Sequence, residues 1–171
     1  MRFHTLWKHP FLTTILGASA AFLLAAWLVG PHIVIQLTPS MPRGVYWMTR
    51  GADITTGAIV VFKPPLSARK LIEERRWWNM SGVNYSLMKY IVAKNEDHVK
   101  VTDEAVFING SFFGAVKHVD SEGLPLAPCK FDRVLSEDEY FVASTYHNSF
   151  DSRYFGTIKR EDIIGIATRI F

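Results

Sequence analysis

Residues 105–116 read Ala-Val-Phe-Ile-Asn-Gly-Ser-Phe-Phe-Gly-Ala-Val, two apolar and aromatic runs hinged on Asn109-Gly110. Both hinge residues tolerate positive φ, which the tightest hairpin turn requires, so the stretch predicts two antiparallel strands, 105–109 and 111–116. Runs of the same kind recur on either side at 32–37, 45–49, 58–63, 87–93, 98–101, 140–143 and 164–170, separated by Gly, Pro, Asn and Asp. So many short strands predict a mainly β domain, a sandwich or a barrel-like coiled sheet.

Upstream the pattern changes. No residue from Phe11 to Val29 is charged, and as a helix this segment would reach roughly 28 Å, close to the ~30 Å hydrocarbon core of a bilayer. Arg2 and Lys8 precede it and the first charge after it is Arg43, an asymmetry that places the segment's start in the cytoplasm and the remainder outside. A cleaved signal peptide is the competing reading, since Ala18-Ser19-Ala20 and Leu24-Ala25-Ala26 offer small residues. The apolar run continues through Trp27, Leu28 and Val29, past either cut, which favours an uncleaved anchor. The chain thus divides into 1–31, cytoplasmic start and anchor, and 32–171, one folded domain.

Within that domain, residues 64–86 read as an insertion between strands. After Pro64-Pro65, residues 67–78 (Ser-Ala-Arg-Lys-Leu-Ile-Glu-Glu-Arg-Arg-Trp-Trp) form a basic helical pattern. Four cations beside two tryptophans suit either a lipid headgroup contact, which Trp47 and Met80 could join, or a solvated helix covering one end of the barrel. The net charge of +3 is small and scattered, which excludes a nucleic-acid footprint. A single cysteine, Cys129, allows no intramolecular disulfide and reads as a half-buried spectator. His98, His118 and His147 lack metal-ligand spacing, and a triad of His147 with Ser149 or Ser152 fails because such close neighbours in an extended run rarely converge.

Two residues carry chemistry together. Ser40 lies in Thr38-Pro39-Ser40-Met41-Pro42-Arg43-Gly44-Val45, where the prolines forbid a helix and hold the serine on a stiff bend. The Ser40 amide and the Thr38 hydroxyl are the local donors available to a developing oxyanion. Lys89 lies in Leu87-Met88-Lys89-Tyr90-Ile91-Val92-Ala93, where strand alternation can point its amine into a desolvated site. To serve as a base near neutrality the amine must fall from ~10.4 to about 7 to 8, a cost of roughly 4 kcal/mol. Alone, each residue reads as ordinary.

The match comes from Ser149-Phe150-Asp151-Ser152-Arg153-Tyr154-Phe155-Gly156, which resembles the C-terminal box of the type I signal peptidase superfamily. Ser40-Met41-Pro42-Arg43-Gly44-Val45-Tyr46 and Met88-Lys89-Tyr90-Ile91-Val92-Ala93 resemble the serine and lysine boxes of its conjugative-transfer branch, the TraF peptidases that mature the pilin of mating pili. Fainter echoes at 57–62 and 107–110 extend the likeness over nearly everything from residue 32 onward. The resemblance implies a signal-peptidase-like coiled β catalytic domain on the periplasmic side of a bacterial inner membrane. It implies Ser40 as nucleophile, Lys89 as general base, Thr38 with the Ser40 amide as oxyanion hole, Ser149 orienting the lysine, and Asp151 with Arg153 as a supporting ion pair. No cofactor or metal is implied. The implied partners are an exported precursor (a pilin or other preprotein), the lipid bilayer and conjugative type IV secretion components.

The chain departs from the family pattern at Ala143-Ser144-Thr145-Tyr146, where signal peptidases carry Gly-Asp-Asn-Arg, and at Lys94-Asn95-Glu96-Asp97, which replaces a glycine-bearing turn. The first departure weighs against a general signal peptidase, and the short spacing of Ser40 and Lys89 favours the conjugative branch. A non-enzymatic scaffold of a secretion channel is the reading from another class. A self-cleaving repressor is disfavoured by the anchor standing where a DNA-binding domain would be.

Overall fold

The computed structural model describes residues 10–77 and 86–171. Its hairpin forms as the Asn-Gly pair predicts: β6 (Ala105–Ile108) and β7 (Ser111–Ala115) pair antiparallel, with φ of 50° at Asn109 and 79° at Gly110. The Asn109 side chain ties the turn to the preceding loop, accepting from the His98 amide and donating to Asp97.

Helix α1 (Pro10–Val29) carries exposed apolar side chains, among them Phe11, Phe22 and Trp27, and is long and apolar enough to cross a membrane. A short 3-10 turn, Gly30–His32, leads into β1 (Ile33–Gln36). His32 pins this junction: its Nδ1 lies 2.8 Å from the Met48 carbonyl and its ring stacks on Trp47 at 4.9 Å.

Two antiparallel sheets follow. The larger has seven strands in the order β1, β2 (Gly44–Thr49), β11 (Ile163–Arg169), β3 (Ile59–Phe62), β4 (Leu87–Ala93), β9 (Glu139–Ala143) and β10 (Ile158–Lys159). The smaller runs β7, β6, β5 (His98–Val101), β8 (Phe131–Val134). Strand alternation gives the larger sheet two apolar faces, one built on Tyr46, Met48, Val61 and Met88, the other on Val60, Phe62, Ile91 and Val142. The smaller sheet turns Val99, Val101 and Val106 toward Ala93 and Phe141 of the larger. The protein is therefore mainly β, with one apolar helix ahead of two packed antiparallel sheets.

Two strands are not legible in advance. The Phe-Asp-Arg-Val run of β8 has only its first residue half-buried and holds its place by pairing with β5. β10 has two residues. Helix α2 (Leu66–Glu74) forms inside the expected insertion and buries Ala68 and Ile72, while Arg2, Lys8, Trp78 and Met80 lie outside the described residues.

Candidate active site

Ser40 sits in the turn between β1 and β2, fixed from both sides. Met41 is buried in the core beside Met48 and Met88, and the Tyr46 hydroxyl donates to the Pro42 carbonyl at 2.6 Å. Lys89 comes from the middle of β4, opposite Val60 of β3, on the face that also carries Leu87 and Ile91. Only 3% of it is exposed, and its Nζ lies 3.1 Å from Ser40 Oγ. Burial lowers the lysine to about 8, a shift opposed by the charge of Asp151 and helped by that of Arg153. An amine so placed is partly uncharged near neutrality and touches the hydroxyl whose proton it would take.

The serine has a second partner. Thr38 Oγ1 lies 3.1 Å from Ser40 Oγ, and Gln36 Nε2 donates to both the Thr38 hydroxyl oxygen (2.6 Å) and the Thr38 carbonyl (2.9 Å). Gln36 thus fixes the Thr38 hydroxyl oxygen beside the serine, with the Thr38 proton free to rotate. The polar chain runs Gln36, Thr38, Ser40, Lys89.

Asp151 and Arg153 are buried and joined by a two-pronged contact, Nε to Oδ1 at 2.8 Å and Nη2 to Oδ2 at 2.7 Å. Asp151 also accepts from the Ser144 amide and caps the single turn of α3 (Ser152–Phe155). Arg153 reaches the carbonyls of Ala115, Ser144, Tyr146 and Ser149, so one guanidinium ties β7 to the whole 144–149 loop. Ser40, Lys89 and Ser149 open into one cleft of about 280 Å³, whose lining also includes Ile72, Trp77, Leu126 and Phe150.

Residues 7–171 match the family described as signal peptidase, peptidase S26. The chain belongs to that family. It is 33% identical over 175 residues to a plasmid transfer protein TraF of Escherichia coli, an alignment covering 96% of this chain and 95% of the relative. A second plasmid transfer protein TraF of Escherichia coli is 34% identical over 158 residues (87% and 88% covered), and the conjugal transfer protein TraF of Agrobacterium fabrum is 31% identical over 153 (84% of each). Among solved structures, a signal peptidase I from Enterococcus faecalis V583 aligns at a TM-score of 0.41 and 20% identity, over 68% of this chain and 98% of that one. The protein is thus a membrane-associated member of the signal peptidase family with TraF relatives.

In this S26-family chain the expected residues Thr38, Ser40, Lys89 and Ser149 line the same cleft, and Asp151 and Arg153 are buried. One expectation needs correction: Ser149 does not hydrogen-bond to Lys89. Its hydroxyl is buried and has no hydrogen-bond partner among the described residues, while its carbonyl accepts from Arg153. The Asp151–Arg153 pair is likewise not the surface contact that two neighbouring charges would suggest without the family template. The Ala143-Ser144-Thr145-Tyr146 departure packs by a simple route: Ser144 N–H donates to Asp151, and Ser144 Oγ accepts from the Tyr146 amide.

Sequence reasoning passed over Gln36, which it read only as the penultimate residue of a strand. Its place two residues before Thr38, on the same face of an extended run, is the signal that was there to use. It also left the role of α2 open. Arg75 of the turn after α2 reaches Asp120 (2.5 Å) and the Pro125 carbonyl (2.8 Å), and Trp77 meets Phe150 edge-on at 4.9 Å, so this segment walls the cleft. Trp47 is exposed and stacks on His32, in the turn that follows the anchor. Cys129 is half-buried outside the cleft, its thiol pushed up by burial. His98 pairs with Asp132, and His147 stands at the cleft beside Tyr146.

Proposed function

We propose that the protein is a membrane-anchored serine endopeptidase in which Ser40 is the nucleophile and Lys89 the general base. The observation that carries this reading is the 3.1 Å contact between Ser40 Oγ and an almost fully buried lysine amine. Neutral Lys89 accepts the Ser40 proton as Oγ attacks the scissile carbonyl carbon. The Ser40 amide and the Thr38 hydroxyl stabilise the oxyanion, Thr38 turning its proton to the new charge while Gln36 holds its oxygen in place. Protonated Lys89 then gives its proton to the departing amine, leaving an acyl-enzyme and a neutral lysine. Water, deprotonated by the same amine, releases the acid; attack by an amine of the substrate itself would instead close a ring.

Helix α1 would anchor the chain in a bacterial inner membrane with residues 1–9 cytoplasmic and residues 32–171 in the periplasm, next to the membrane-proximal segment of an exported precursor. The TraF relatives, described as plasmid and conjugal transfer proteins, support a pilin or another mating-channel precursor as substrate and the conjugative secretion machinery as the setting. The test is processing of the pilin precursor from the same plasmid by full-length protein in membranes. Ser40→Ala and Lys89→Ala should each abolish it; processing that survives either substitution overturns the assignment.

A further inference from the structure

Three charged side chains of the cleft lining decide what else it takes: Lys89, Lys117 and Asp120. Lys89 is held partly neutral by burial. Asp120 is paired with Arg75 through Oδ2 and accepts from the amides of Glu122 and Leu124 at Oδ1. Lys117 differs, since its Nζ is 2.5 Å from the side-chain carbonyl of Asn148, a neutral acceptor that uses one of its three donors. The position of Lys117 is built: its backbone N–H donates to the Tyr154 hydroxyl, and Tyr154 belongs to α3, which the Asp151 cap fixes behind the cleft. The partner residue Asn148 directly precedes Ser149 in the loop that Arg153 staples.

We infer that Lys117 and Asn148 form a subsite for a carboxylate of the substrate, so that the cleft selects precursors carrying an acidic group near the scissile bond. This rests on the endopeptidase reading above and adds a substrate class to it. A carboxylate there takes the donors of Lys117 that Asn148 leaves open, and the charge of Asp120 in the same lining is offset by its ion pair with Arg75. Lys117 is half-buried as a residue while its ammonium stands at the exposed side of the cleft, where a charge-assisted hydrogen bond to a carboxylate is still stronger than one between neutral groups.

The test uses the full-length protein in detergent micelles with internally quenched decapeptides built around Ala-Xaa-Ala, carrying Glu or Gln at one other position at a time. Cleavage should favour Glu over Gln about tenfold in kcat/KM at one or two positions. Lys117→Met should reduce that ratio below about twofold, Lys117→Arg should keep it, and Lys117→Glu should favour a Lys-containing peptide. In parallel, the Ser40→Ala variant is titrated with fluorescent forms of the same peptides, so that binding is read without turnover. An active enzyme that treats Glu and Gln alike at every position, or a preference that survives Lys117→Met, overturns the subsite while leaving the endopeptidase reading intact. If no peptide is cleaved, that reading is what suffers and the binding arm decides the subsite alone. Equal affinity for Glu and Gln peptides, or no measurable binding of any of them, then overturns it.

Discussion

A lysine amine brought to about 8 is a compromise between two demands on one side chain. Catalysis as proposed needs the uncharged form, whereas the fold loses stability by keeping an ammonium away from water. With a proton affinity near 8, about a tenth of the molecules carry a neutral Lys89 at pH 7, so kcat/KM should rise about tenfold per pH unit below 8 and level off above it. A pH–rate profile on a peptide substrate without ionisable groups checks this, and a flat profile from pH 6 to 9 would count against Lys89 as base. The sign for stability follows from the same numbers. The folded lysine binds its proton more weakly than the unfolded one, so unfolding takes up protons between about 8 and 10.5, and the penalty on the fold is full below 8 and fades as pH rises toward 10.5. Lys89→Met removes that penalty and should stabilise the protein by about 3 kcal/mol at pH 7, and by little above pH 10, in urea titrations, while abolishing activity. Gln36 acts one step further out. Gln36→Leu leaves Thr38 Oγ1 without its donor, so kcat should fall about tenfold with KM nearly unchanged, because only stabilisation of the oxyanion is lost. An equal loss of kcat and gain of KM would mean that Gln36 serves substrate binding instead.

The elements that hold these side chains were legible to different degrees, for physical reasons that separate cleanly. Strand β4 was read to the residue, because its alternation of buried side chains and the turn residues beyond it mark both ends. The hairpin of β6 and β7 was equally plain, since Asn109-Gly110 is a local requirement of the backbone. β8 was not, because a half-exposed edge with alternating charge has no apolar period and exists through its hydrogen bonds to β5. The same division holds in the site. Ser40 and Lys89 are legible together and through the matching C-terminal box, and Gln36 through its spacing from Thr38, but the surroundings of the Ser149 hydroxyl are set by where the chain is stapled, which no local pattern reveals. That staple is the loop from Ser144 to Arg153, whose carbonyls converge on one guanidinium balanced by Asp151. Replacing the whole pair with well-packed apolar groups is tolerable in a core of this kind, but removing one member is not, because the other stays buried and charged. Arg153→Met should therefore cost about 3 to 5 kcal/mol in urea unfolding at pH 7. A cost below about 1 kcal/mol would show that the loop carbonyls find other donors.

At the scale of the whole molecule, the distance between the anchor and the cleft is as much a part of the design as the dyad. Helix α1 ends at Val29, the next turn is clasped by His32 to Met48 and Trp47, and Ser40 follows directly after β1. Two rigid contacts thus carry the height of the helix end into the position of the serine, with no free linker between them. In the proposed setting this holds the cleft at the surface of the bilayer, where the membrane-proximal segment of a precursor is presented. A soluble peptide reaches the cleft by diffusion and is indifferent to that height, whereas a membrane-held precursor is not. Inserting twelve Gly-Ser residues between Gly30 and Pro31 adds a tether of about 20 Å root-mean-square reach and leaves every residue of the site untouched. Peptide cleavage in micelles should then stay within about twofold of the parent, while precursor processing in membranes should drop by more than tenfold because the two reactants no longer share a fixed plane. Equal losses in both assays would mean that the insertion disturbs the fold at His32, and undiminished processing in membranes would mean that the cleft finds its substrate without being held at the surface.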